Sequence, residues 1–186
     1  MGSPTRMRDR SSMQSPDHMP RGSARLRLGR HSETGRVYLV TFHTFDREPI
    51  FKNWSDAVTM VRASMSPHVL RSSRVLCWVL MPDHWHGLVD LGEMDELSQL
   101  VGRIKGVSAR AVNLHRAQAG HVWGPGFHDH ALRDEGFILD MARYIVMNPV
   151  RAGLVERVGL YPFWDALWLD GECRDRACPE PVEGSL

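Results

Sequence analysis

Arg74-Val75-Leu76-Cys77-Trp78-Val79-Leu80-Met81-Pro82-Asp83-His84-Trp85-His86-Gly87-Leu88-Val89-Asp90-Leu91 is the stretch on which the architecture turns. Residues 74–81 form a run apolar enough for a strand buried on both faces. Pro82-Asp83 breaks the run, and residues 84–91 resume as a second strand, so the two read as an antiparallel hairpin. Successive side chains leave a strand on opposite faces. His84 and His86 therefore share one face, and Trp85 enters the other, where it needs a roomy core.

Outward from the hairpin, Val37 to Phe42 is rich in β-branched and aromatic residues and reads as the first strand. Trp54, Ala57, Val58, Val61 and Met65 recur at helical spacing, with Asn53 or Ser55 as N-cap. Glu96 to about Arg116 is the longest helical stretch, carrying Leu97, Leu100, Val101, Ile104, Val107, Ala111 and Leu114 on one face. After a loop over residues 120–126, Phe127 to Arg133 reads as a fourth strand. Asp134-Glu135-Gly136 then opens a helix with acids at its positive end, and Pro149 requires that helix to stop near Asn148. The order β-α-β-β-α-β-α predicts an α+β fold, a ferredoxin-like antiparallel sheet with one added C-terminal helix.

The length of 186 residues suits one domain with tails. Order is expected over residues 36–168. Residues 1–35, rich in Ser, Pro, Gly and Arg, read as a flexible basic arm, and residues 169–186 as a polar acidic tail. The net charge of +1 conceals this division. Residues 1–36 hold eight Arg against Asp9, Asp17 and Glu33, which is +5; residues 165–186 hold six acids against Arg174 and Arg176, which is −4. Arg21, Arg25, Arg27 and Arg30 cluster as a site for an anionic partner, since the guanidinium fork matches phosphate. Met7, Met13 and Met19 leave room for a translation start later than Met1. Cys77 reads as a small buried hydrophobe, while Cys173 and Cys178 lack nearby zinc ligands, so a reduced, cytoplasmic protein is expected. No apolar run is long enough to span a membrane, and the N-terminus lacks the apolar core of a signal peptide.

Two features could carry chemistry. His84 and His86, side by side on a strand, make half of a metal site. His128-Asp129-His130 repeats the pattern, and spacing does not choose between the pairs; His43, His115 and His121 stand singly. In the last helix Tyr144 and Asn148 are four apart and share a face, at the edge of the stripe formed by Met141 and Ile145. A tyrosine that merely wets its hydroxyl at a helix boundary, and an Asn that stops a helix before Pro, would look the same.

Taken together, residues 81–89 (MPDHWHGLV), 123–130 (WGPGFHDH) and 144–154 (YIVMNPVRAGL) resemble the REP-associated tyrosine transposases, members of the HUH single-strand transposases, in which U is hydrophobic and here is Trp85. The resemblance runs from about Arg21 to Trp168. It implies a metal-dependent enzyme that cuts and rejoins single-stranded DNA beside a hairpin. His84 and His86 match the family's metal ligands, and Asn148 stands where the third ligand, an amide, is found. Tyr144 matches the nucleophile that forms a 5′-phosphotyrosine link. The implied cofactor is Mg²⁺ or Mn²⁺, and the partner is a single-stranded DNA hairpin, with Arg143 and Arg151 beside the nucleophile and Arg25, Arg27 and Arg30 in the arm as contacts. A monomer is expected over a dimer. Two other readings fit the same residues: a domesticated hairpin-binding protein without cleavage, and a hydrolytic nuclease using His84, His86, His128 and His130.

Overall fold

The computed structural model describes residue 33 and residues 35–132 and 135–167, without the side chains of residues 135 and 136. Arg25, Arg27 and Arg30 and the tail 169–186 lie outside the described residues. A five-stranded sheet in the order β4-β1-β3-β2-β5 is formed by β1 (Val37–His43), β2 (Arg74–Met81), β3 (His84–Asp90), β4 (His128–Leu132) and β5 (Trp164–Ala166), with every neighbouring pair antiparallel. The first four strands keep the ferredoxin-like order expected from the sequence. β5 is an addition that the sequence pattern does not announce, because three residues are too few to show a period.

The hairpin forms where Pro82-Asp83 breaks the run: Met81 pairs with His84, and the ladder continues to Arg74 opposite Asp90, with a bulge between Val75 and Cys77. Cys77 is fully buried, and that burial pushes its thiol up to about 12, so it behaves as an inert hydrophobe. Helix α1 (Trp54–Ser64) starts at Asn53, whose side chain accepts from the Asp56 amide at 3.1 Å, which decides the N-cap. Helix α3 (Leu97–His115) buries Leu97, Leu100, Val101, Ile104 and Val112, whereas Val107 and Leu114, assigned to the same face, are exposed. The short helix α2 (Pro67–Leu70) lies between α1 and β2.

One face of the sheet carries Phe42 and Trp85, stacked at 5.1 Å, with Trp123 edge-on to Phe42 at 4.7 Å. Trp123 Nε1 donates to Ser108 Oγ of α3 at 2.9 Å, so this is the face that α1 and α3 cover. The room that Trp85 needs comes from Gly87, two residues on and on the same face. A Cβ there would overlap the Trp85 six-membered ring. Helix α4 (Glu135–Val146) and the single turn α5 (Asn148–Arg151) lie against the sheet, with Ala142 and Ile145 buried. The expected helix to Asn148 is thus interrupted at Met147, because Pro149 has no N–H with which to continue it.

Candidate active site

Residues directly opposite in an antiparallel pair project to the same side. His84 faces His43 and His86 faces Thr41 across β1, and Thr41 faces His128 on β4. The register therefore gathers His43, Thr41, His84, His86 and His128 on the face opposite Trp85. Ring centroids lie 4.8 Å apart for His84 and His86, 5.4 Å for His43 and His84, and 6.2 Å for His43 and His128. His130 lies on the same face, opposite Leu39 and two residues further along β4, and among the described residues no three of these histidines group closely enough to hold a metal ion.

Each ring of the pair is held by its Nδ1. His84 Nδ1 lies 2.6 Å from Asp83 Oδ1, and His86 Nδ1 lies 2.7 Å from Thr41 Oγ1. A carboxylate only accepts, so neutral His84 donates through Nδ1 and keeps its Nε2 lone pair; the Thr41 hydroxyl allows the same tautomer at His86. This is the outer-shell arrangement that orients metal-ligating imidazoles. Burial lowers the His86 pKa to about 3, helped by His84, His43 and Arg151 nearby. Burial also lowers His84, with Asp83 opposing, and takes His43 down to about 4, helped by Arg47. Both ligand candidates are therefore neutral around pH 7, the form a cation requires.

Arg151 ties the nucleophile candidate to this face. Its guanidinium lies 3.7 Å from the Tyr144 ring centroid, Nη1 donates to the Tyr144 carbonyl at 2.7 Å, and Nη2 donates to Asn148 Oδ1 at 2.8 Å. The same charge is close enough to His86 to depress its pKa. Tyr144 is 37% exposed, with its ring flanked by the cation. Asn148 Nδ2 is buried without a partner, an orphan that marks the amide as poised for something else. Among the described residues no three His, Cys, Asp or Glu side chains make a metal cluster by themselves. Two anchored neutral imidazoles are donors suited to a divalent cation, and the Asn148 amide, tied through Arg151 to the charge that reaches His86, would add an oxygen once Arg151 releases Asn148 Oδ1. Arg143 does not join the site; it is exposed and pairs with Asp140 at 3.0 Å.

In the sequence His43 stands as a single histidine, one residue past the strand expected over 37–42. Extending β1 by one residue puts it on the Thr41 face. By pattern Asp83 is a strand breaker and Thr41 a strand residue; only the fold makes them partners of the histidine pair.

The family model described as "Transposase IS200 like" matches residues 37–147. A REP-associated tyrosine transposase of Escherichia coli (strain K12) is 32% identical over 94 residues, covering 50% of this chain and 54% of the relative. The chain thus spans about half the length of that curated relative. Among solved structures, a REP-associated tyrosine transposase bound to a REP hairpin superposes with a TM-score of 0.61 and 25% identity, over 73% of this chain and 79% of that one.

Proposed function

This chain belongs to the IS200-like transposase family, with the similarity to REP-associated tyrosine transposases read from its motifs, and on that footing we propose that it cleaves and rejoins single-stranded DNA at hairpins through Tyr144. The observation that carries this reading is the convergence of two Nδ1-anchored, neutral imidazoles and a helix end bearing Tyr144 and Asn148, joined through Arg151. His84, His86 and Asn148 would hold a divalent cation. Such an ion would supply positive charge to a phosphate of the bound strand. Imidazole ligands suit Mn²⁺ better than Mg²⁺, and both can serve.

The step assigned to this chain is nucleophilic. The Tyr144 phenolic oxygen attacks phosphorus, the P–O3′ bond breaks, and the strand leaves as a 3′-hydroxyl, taking up one proton as the phenol gives one to solvent. The ordinary phenol pKa is near 10, so ionisation needs help. The Arg151 guanidinium packs against the ring at 3.7 Å from its centroid and so holds the nucleophile in place. The 5′-phosphotyrosine conserves the energy of the broken bond, so attack by a 3′-hydroxyl reverses the step without ATP.

Incubating the full chain with a single-stranded hairpin oligonucleotide and Mg²⁺ or Mn²⁺ should give a covalent protein–DNA band in denaturing gels. EDTA, His84→Ala and His86→Ala should each abolish it while hairpin binding persists. Cut DNA without any covalent band would favour a hydrolytic nuclease, and binding without cutting would favour a domesticated binding protein.

A further inference from the structure

Beside the histidine pair, on the β4 side, lies a cavity of about 210 Å³ that the proposed cleavage does not use. Its lining includes His43, Asp46, Arg47, Phe127 and His128, closed by the Gly124–Gly126 loop. The volume is roughly seven waters' worth, enough for one planar base and too little for a base pair.

The walls are pinned. Thr44 N–H donates to the Asp83 carbonyl at 2.8 Å, and Thr44 Oγ1 donates to the Glu48 carbonyl at 2.7 Å. Gly124 N–H donates to the His43 carbonyl at 2.9 Å, and Lys105 Nζ reaches the Gly124 and Gly126 carbonyls, both at 2.7 Å. Asp46 and Arg47 stand in the left-handed region at φ 50° and 58°, where a residue with a Cβ costs energy. Local strain of this kind collects where side chains must be aimed. His43 Nδ1 is buried with no hydrogen-bond partner, although the ring lines the cavity. Next along the chain, Phe45 is 38% exposed and stacks on His121 at 5.2 Å.

We propose that this cavity receives one unpaired base of the bound strand, next to the phosphate at His84 and His86, and thereby reads sequence at the cut. The inference rests on the single-stranded DNA reading above. A carboxylate at Asp46 would repel a phosphate but accepts from a base amine, and the His43 ring forms part of the same wall. Arg47 carries the positive charge that the nucleotide's own phosphate requires. Phe127 supplies an apolar wall for the ring, as single-strand binders do with aromatic side chains. The contact between His43 and His84 makes the two sites adjacent.

The test is a binding scan in EDTA with the full chain, using hairpin oligonucleotides that carry one abasic site at successive positions of the flanking strand. Loss of one particular base should weaken binding by about tenfold, the effect of one lost base contact. In His43→Phe and Asp46→Gly the intact oligonucleotide should bind as weakly as that abasic one, and the penalty at that position should vanish. Glycine adopts the φ of residue 46 freely, so Asp46→Gly decides if His43→Phe fails to fold. A flat scan in wild type, or the same penalty retained in Asp46→Gly, overturns the subsite and leaves the cleavage reading standing. Failure of the wild type to bind any hairpin would overturn both.

Discussion

Asp83 and Thr41 fix the imidazoles that the family resemblance assigns to the metal, and each is one atom away from losing that role. Asp83→Asn removes the obligate acceptor of His84 Nδ1 and lets the ring turn or change tautomer. We expect metal affinity, read by Mn²⁺ titration, to fall about 10- to 100-fold with the fold intact. The histidines also make stability depend on pH. Unfolded histidine protonates near 6.5, whereas folded His43 and His86 do so only at about 4 and about 3. Between those values the unfolded chain binds more protons, so stability is full above about 6.5 and is lost as pH falls toward 3, by up to about 1.4 kcal/mol per pH unit per group. Urea midpoints measured in EDTA from pH 7 to pH 4 should fall, and His43→Phe should flatten the curve. Arg151 positions Tyr144, donating to its carbonyl while the guanidinium plane lies on its ring. Arg151→Lys keeps the charge but loses the planar group that stacks on the ring, so the rate of adduct formation should drop about a hundredfold, a cost typical of a misplaced reacting group.

At the scale of elements, the hairpin was legible because Pro82-Asp83 divides a β-rich run and alternation assigns the faces. Its fit was legible only as a demand: Trp85 required space, and Gly87 supplies it. Gly87→Ala should therefore unfold the protein more readily, by about 1–3 kcal/mol in urea denaturation, unless Trp85 changes rotamer. The end of β3 is locked by groups no pattern revealed. Asp95, fully buried in its side chain, accepts from Ser73 Oγ at 2.7 Å and from Arg103 Nη2 at 2.6 Å. Asp95→Ala strands a largely buried guanidinium and should cost about 3–5 kcal/mol. β5 was not legible, because what makes residues 164–166 a strand is pairing with Cys77–Val79 rather than any local period. His43 was missed for a related reason: its meaning lies in the strand opposite it, and cross-strand register is long-range information.

For the whole molecule, one sheet separates two tasks. The Trp85 face holds the aromatic core under α1 and α3, and the opposite face gathers His43, His84, His86 and His128. No helix among the described residues is long and apolar enough to cross a membrane. The +5 charge of residues 1–36 is an expectation about binding alone. Deleting residues 1–30 should weaken hairpin affinity and flatten its dependence on salt, since fewer counterions are released, while the rate on bound substrate holds. An unchanged salt slope would make the arm a bystander. Tyr144, rather than Tyr38, Tyr161 or water, is the proposed attacker of the phosphate. Tyr38 is buried in β1, and Tyr161, buried with its hydroxyl donating to the Leu80 carbonyl at 2.7 Å, is pushed up to about 12. The most direct measurement is mass mapping of the proteolysed covalent adduct formed on a hairpin oligonucleotide. The expected result is a nucleotide-linked peptide carrying Tyr144 and no adduct at all in Tyr144→Phe. DNA on another peptide, or cleavage by Tyr144→Phe at the wild-type rate, would contradict the mechanism.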